Sequence, residues 1–151
     1  MYEQLSKRME EIVRLANDIA HEYEQEYVGT EHILLAIMRE GTGNGAAVLQ
    51  GRGLNEARVK KEVDALIKHS MEETWVFGRL PGSPHFKNVM AGAIEAARDM
   101  QSKTVCAEHL LLGLLQEDGS VAHTALTNLG ITADGVRADV AKLTAGGAAT
   151  A

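Results

Sequence analysis

The six residues Thr30-Glu31-His32-Ile33-Leu34-Leu35 return seventy-seven positions later as Ala107-Glu108-His109-Leu110-Leu111-Leu112. No other feature of the chain restricts its fold so tightly. Offset by 77, residues 5–66 align with 82–143 without a gap, and 14 of the 62 pairs are identical. They include Ser6/Ser83, Ala16/Ala93, Glu40/Glu117, Leu49/Leu126, Gly53/Gly130, Val63/Val140 and Leu66/Leu143. Other pairs keep their character, such as Ile33/Leu110, Ile37/Leu114 and Leu54/Ile131. The chain is therefore built from two copies of one small unit. Such a duplication offers paired binding surfaces more readily than the single asymmetric pocket that catalysis uses.

Both copies have the period of amphipathic helices. Leu5, Met9, Ile12, Ala16, Ile19, Ala20 and Tyr23 recur at steps of three and four, and their counterparts are Phe86, Val89, Met90, Ala93, Ala97 and Met100. Ser6 and Ser83 stand where these helices should begin, and a serine oxygen there accepts from unpaired backbone N–H groups. Pro84 suits the first helical position. The helix expected over 30–40 is apolar nearly all round and should be buried. Gly41, Gly43 and Gly45 then precede a short helix over Ala46–Gln50. Gly53 and Gly130 look like left-handed helix stops. After them Asn55 or Thr132 opens a last helix, with Val59, Val63, Leu66 or Val136, Val140, Leu143 on its apolar side. The expectation is an all-α fold, a duplicated four-helix repeat giving eight helices with pseudo-twofold symmetry. Repeat one spans about 5–67, a linker containing Trp75, Phe77, Gly78, Pro81 and Gly82 about 68–82, and repeat two about 83–143. Residues 144–151, Ala/Gly/Thr-rich and aperiodic, are expected to form a flexible tail.

Composition removes several functional classes. A net charge of −6 disfavours a nucleic-acid partner, whose backbone is bound by neutralising phosphates with Lys and Arg. A cationic or ampholytic partner fits better. Cys106 is the single cysteine, which excludes an intrachain disulfide and a cysteine-based zinc site. The densest apolar run, Ile33 to Met38, is far below membrane-spanning length. The N-terminal segment is charged and amphipathic, unlike a signal peptide. A cytoplasmic protein without membrane contact is expected.

Two four-helix repeats, each centred on a (Gly/Ala)-(Thr/Ala)-Glu-His-(Ile/Leu)-Leu-Leu segment, resemble the Clp repeat N-terminal domain of Hsp100 unfoldases of the ClpA/ClpC type. Gly29-Thr30-Glu31-His32-Ile33-Leu34-Leu35 followed by Arg39-Glu40-Gly41 lies close to the family pattern. In the second copy Cys106-Ala107 stands where Gly-Thr is expected. The resemblance covers about residues 5–143. It implies a pseudo-twofold helical module that docks protein substrates or adaptor proteins onto a Clp ATPase ring. It also implies that Glu31 and Glu108 grip the guanidinium of phosphoarginine-marked proteins, with Thr30, Ser6 and Ser83 lining the ligand surface. A different reading stays open: a free-standing chaperone-like or regulatory protein that binds exposed segments without an ATPase partner.

Physical chemistry allows that ligand. A carboxylate pairs with a guanidinium through two parallel hydrogen bonds, and free N–H groups at a helix start favour phosphate. The plainer role of Glu31 and Glu108 is a carboxylate placed favourably on the helix dipole. His32 and His109 are adjacent to these glutamates and have no third ligand at useful spacing. They are read as partly buried helix-start histidines rather than metal ligands or bases. Ser83, in Gly82-Ser83-Pro84, lacks the strand and second glycine of a nucleophile elbow. An asymmetry is expected between the copies. Thr30 should cap its helix and fix Glu31. Ala107 cannot cap, so the second helix should start back at Thr104 and leave Glu108 deeper inside, making repeat one dominant.

No glycine is followed by lysine anywhere in the chain, so the phosphate-cradling loop of an ATPase is absent. Neither a catalytic set nor a cofactor site emerges from the sequence. The purified chain should release no phosphate from ATP above background in a colorimetric assay. Turnover stoichiometric with the chain would contradict this.

Overall fold

The computed structural model describes residues 4–5, 7–24, 28–77 and 84–145. Repeat one supplies α1 (Lys7–Glu22), α2 (Thr30–Glu40), α3 (Asn44–Gly51) and α4 (Glu56–Phe77). Repeat two supplies α5 (Pro84–Asp99), α6 (Ala107–Gln116), α7 (Val121–Asn128) and α8 (Ala133–Ala145). Each helix of the second set starts 77 residues after its counterpart. The eight helices in two matched sets agree with the all-α expectation. Two short strands, β1 (Gln4–Leu5) and β2 (Thr104–Val105), form a parallel pair that ties the start of repeat one to the segment before α6.

Local chemistry explains most boundaries. Asn55 Oδ1 accepts from the N–H of Arg58 at 2.8 Å and caps α4, and Thr132 Oγ1 accepts from Gly135 at 3.1 Å and caps α8. Gly53 and Gly130 stop α3 and α7 with φ of +85° and +84°. Around them Leu54 N–H reaches Leu49 and Ile131 N–H reaches Leu126, as in a Schellman stop. The short third helix is longer than expected, Asn44–Gly51 rather than Ala46–Gln50, because Asn44 and Gly45 join its first turn. α4 continues through Phe77, into the segment assigned above to the linker; no Gly or Pro interrupts it before Gly78. Pro84 opens α5 as expected. Ser6 and Ser83, the expected caps of α1 and α5, lie outside the described residues, as do 78–82 and most of the expected tail.

The centre of the molecule is α2 and α6. Every residue from Thr30 to Met38 and from Ala107 to Leu115 is buried. Neither sequence has a polar face to offer to water, so both helices must be surrounded by others. α1 covers α2 and α5 covers α6, and α4 and α8 also pack on the second helix of their own repeat, while the third helices reach across to the other repeat. α3 of repeat one packs on α6 and α8, whereas α7 of repeat two packs on α2 and α4. Polar ties follow the same exchange. Arg52 pairs with Asp139 at 2.8 Å, and Asn128 donates to Glu62 at 2.8 Å. Asp139 and Glu62 are a pair under the 77-residue offset, so the two repeats clasp each other symmetrically. No helix among the described residues is long and apolar enough to cross a membrane.

Few aromatics and many alanines allow close approach. The tightest cross-repeat point is Gly45, where a Cβ would stand 2.9 Å from the backbone C and O of Ala107. Its counterpart in the other repeat is Ala122, whose N–H donates to Thr30 Oγ1 at 3.2 Å. Gly45→Ala should push α3 away from α6 and destabilise the fold by about 1–3 kcal/mol, the range for an overpacked core. Urea unfolding followed by circular dichroism checks this; an unchanged midpoint would mean that the contact relaxes freely.

Candidate functional site

The site is built on the first turns of α2 and α6. Gly29 and Cys106 are the N-cap residues, both extended, at φ −100° and φ −117°. The three positions that follow are Thr30, Glu31, His32 and Ala107, Glu108, His109. The third side chain in each turn reaches back: Gly29 N–H donates to His32 Nδ1 at 2.9 Å, and Cys106 N–H donates to His109 Nδ1 at 2.9 Å. Histidine here fills the role that Glu or Gln plays in a capping box. A ring nitrogen that accepts an N–H carries no proton, so each neutral imidazole holds its proton on Nε2. Burial pushes both pKa values down to about 4. The reading of these residues as helix-start histidines matches this geometry.

Cys106, Glu108 and His109 bring ligand atoms within 4.8 Å of one another. Two facts oppose a cation there. The His109 Nδ1 lone pair is already committed to Cys106 N–H, and the charge of Arg8 acts on Glu108.

Both glutamates are 6 % exposed, and burial raises both pKa values. Their carboxylates are held differently. A Cβ at Gly29 would lie 2.6 Å from Glu31 Oε1, so this carboxylate folds back over its own N-cap residue. Cys106 has that Cβ, and Glu108 cannot adopt the same pose. Asn44 of α3 hydrogen-bonds the Glu108 carboxylate instead, while Glu108 Oε1 is buried without a hydrogen-bond partner among the described residues. Each glutamate is also influenced by a basic side chain from the opposite repeat: His85 of α5 acts on Glu31, and Arg8 of α1 acts on Glu108. The surroundings of both glutamates are therefore composites of the two repeats.

Two sequence expectations are corrected. Thr30 does not cap its own helix; it is the first helical residue, and its Oγ1 accepts from Ala122 in the first turn of α7. The second helix does not retreat to Thr104 either. α6 starts at Ala107 with Cys106 as N-cap, because His109 supplies the cap that Ala107 cannot. Thr104 lies in β2, its hydroxyl 3.3 Å from Cys106 Sγ. Glu31 and Glu108 thus occupy the same helical position, and the capping difference expected to favour repeat one is absent. Ser6 and Ser83 are outside the described residues. Arg8, His85 and Asn44 were missed in the sequence. A usable signal existed, since the 77-residue offset pairs Arg8 with His85 and their anchors Glu40 with Glu117. Arg8 Nε lies 3.4 Å from Glu40 Oε2, and His85 Nδ1 lies 2.6 Å from Glu117 Oε2.

Comparison with known proteins gives a consistent result. The family described as Clp repeat (R) N-terminal domain matches residues 4–129 and 83–149. The Bacillus subtilis protein named negative regulator of genetic competence ClpC/MecB is 34% identical over 143 residues, which are 95% of this chain and 17% of that protein. The chloroplastic chaperone protein ClpC1 of Arabidopsis thaliana is also 34% identical over 143 residues, 95% of this chain and 15% of its own length. The chain thus spans about a sixth of these relatives. Among solved structures, the N-terminal domain of ClpD from Arabidopsis thaliana superposes with a TM-score of 0.72 at 22% identity, covering 93% of this chain and 97% of that one. The Hsp104 N-terminal domain from Candida albicans gives 0.66 at 12% identity, covering 97% and 94%. These two likenesses concern the fold.

The capping histidines make stability depend on pH. Each titrates near 6.5 when unfolded and at about 4 when folded, so the unfolded chain binds the proton more readily. Their contribution is complete above pH 6.5 and falls away as pH drops toward 4. Glu31 and Glu108, raised by burial, act with the opposite sign: they cost stability at neutral pH and recover it on protonation. His32→Gln keeps an acceptor for Gly29 N–H and removes one titrating group. Between pH 6.5 and 4.5 its unfolding free energy should fall less steeply than the parent's, by up to about 1.4 kcal/mol per pH unit. Urea unfolding at several pH values reads this directly; parallel slopes would refute it.

Proposed function

Because the chain belongs to the Clp repeat N-terminal domain family, we propose that it docks protein substrates or adaptors for a Clp-type ATPase ring. We further infer that its two acidic pockets receive the guanidinium of phosphoarginine-marked proteins. The supporting observation is the pair of buried carboxylates, Glu31 and Glu108, at equivalent helix starts with raised pKa values. A buried carboxylate without a full counter-charge is costly, and a fork of N–H donors offsets that cost better than water does. Near Glu108 the Arg8 guanidinium of the opposite repeat suits the phosphate end of the same ligand.

Calorimetric titration with phosphoarginine, with arginine as control, tests the reading. Phosphoarginine should bind and arginine should bind far more weakly. Glu31→Ala and Glu108→Ala should each remove binding at one pocket, at a cost of about 1.5–3 kcal/mol for a hydrogen bond to a charged group. Absence of phosphoarginine binding would end the ligand assignment. Failure of the chain to compete for substrate delivery to a Clp ATPase ring would end the docking role.

A further inference from the structure

Three places in the chain put glycine directly after asparagine or aspartate: Asn44-Gly45, Asp118-Gly119 and Asp134-Gly135. At such a pair the glycine nitrogen can attack the preceding side-chain carbonyl carbon, because no side chain shields it. By chemistry alone asparagine reacts fastest, since its uncharged carboxamide is a better electrophile than a carboxylate. Burial, hydrogen bonding and helix geometry reverse that order here.

Asn44 lies in the first turn of α3, is 6 % exposed, and hydrogen-bonds the Glu108 carboxylate. Gly45 sits so close to Ala107 that a Cβ would stand 2.9 Å from its backbone. Ring closure there requires local opening of the α3–α6 junction. Asp134 is exposed but belongs to the first turn of α8, where Gly135 N–H donates to Thr132 Oγ1 at 3.1 Å. The attacking nitrogen is thus held by a helix cap.

Asp118-Gly119 has none of these restraints. It forms the turn between α6 and α7, and the Asp118 side chain is 91 % exposed. Gly119 N–H has no hydrogen-bond partner among the described residues. A Cβ placed on Gly119 would meet nothing within 4 Å, so the space beside the turn is open. His123 Nε2 lies 3.4 Å from Asp118 Oδ1, too far for a firm hydrogen bond.

We propose that Asp118-Gly119 is a self-modification site that converts to isoaspartate in the folded chain and loosens the start of α7. The Gly119 nitrogen bonds to Cγ of the protonated Asp118 side chain, a Cγ–O bond breaks, and that oxygen leaves as water with the amide and carboxyl protons. A water molecule then opens the succinimide ring. Opening at the Asp118 backbone carbonyl leaves the chain running through Cγ, which adds a methylene to the backbone. The added atom falls inside a turn that Ser120 closes on the Glu117 carbonyl oxygen, with N–H at 3.3 Å and Oγ at 2.8 Å. Ser120 Oγ also accepts from His123 N–H at 3.1 Å and so caps α7, the helix whose Ala122 N–H bonds Thr30. The α-carboxylate released is the group that an isoaspartyl methyltransferase esterifies. This site is independent of the docking reading.

The test ages the whole chain in warm neutral buffer made with heavy-oxygen water, either folded or in urea. Fragmentation of tryptic peptides then locates isoaspartate and heavy oxygen, and an isoaspartyl methyltransferase counts the methyl-accepting sites. In the folded chain Asp118 should convert while Asn44 stays intact; in urea Asn44 should overtake it. Asp118→Glu, whose larger ring closes more slowly, should lose the methyl acceptance of the folded chain. In the converted fraction the His123 amide should exchange its hydrogen on the order of fivefold faster, the size of a lost serine cap. No conversion at Asp118 in the folded chain, or faster conversion there at Asn44 or Asp134, overturns the site. An unchanged exchange rate at His123 overturns its effect on α7.

Discussion

Two helix N-termini are buried where the repeats meet, and a helix end cannot be buried with its N–H groups unpaired. Most of what is distinctive here answers that constraint. Within each turn the histidine ring closes back onto the N-cap amide, which fixes the ring as neutral. The preceding glutamate is thereby placed inside the protein rather than in water. Where repeat one retains a threonine, its hydroxyl is spent on the neighbouring helix α7. Where repeat two has alanine, α3 closes in through Gly45 instead. Two chemically different solutions hold the same junction.

The junction also explains why the repeats are not separate bodies. The third helix of each copy packs against the other copy, so α2 and α6 are enclosed only when both repeats are present. Ala-rich surfaces make this possible, because small side chains let helix axes approach closely. Within repeat two the approach is closer still: at Gly113 of α6 a Cβ would be 2.5 Å from the carbonyl oxygen of Val89 in α5. The surroundings of the glutamates inherit the exchange. Glu108 belongs to repeat two, yet Arg8 and Asn44, which act on it, belong to repeat one.

Symmetry and divergence then divide the work. The shared frame of α2 and α6 keeps the two glutamates at the same depth. Divergence reaches the residues that act on their carboxylates: Gly29 against Cys106, and His85 against Arg8. A glycine lets one carboxylate lie over its own helix end; a side chain in that place turns the other toward Asn44. Single substitutions in a duplicated scaffold are enough to make the surroundings of two equivalent carboxylates unequal.

The fold was legible in the sequence because it rests on local and periodic signals. The gap-free offset, the three-and-four spacing of apolar residues, the caps Asn55 and Thr132 and the stops Gly53 and Gly130 each act within a few residues of themselves. The positions of Glu31 and Glu108 at helix starts were legible for the same reason. What the sequence could not decide was who meets whom across the repeat boundary. Thr30 looked like a cap because a hydroxyl at a helix start usually is one; only packing shows that α7 takes its lone pair. Ala107 looked like a missing cap because the histidine three residues past the N-cap was not recognised as its replacement. Arg8, Asn44 and His85 lie 100, 64 and 54 positions along the chain from the glutamates they act on, and no helical periodicity links them. Their effect is electrostatic and needs proximity and burial, which only the tertiary structure brings about.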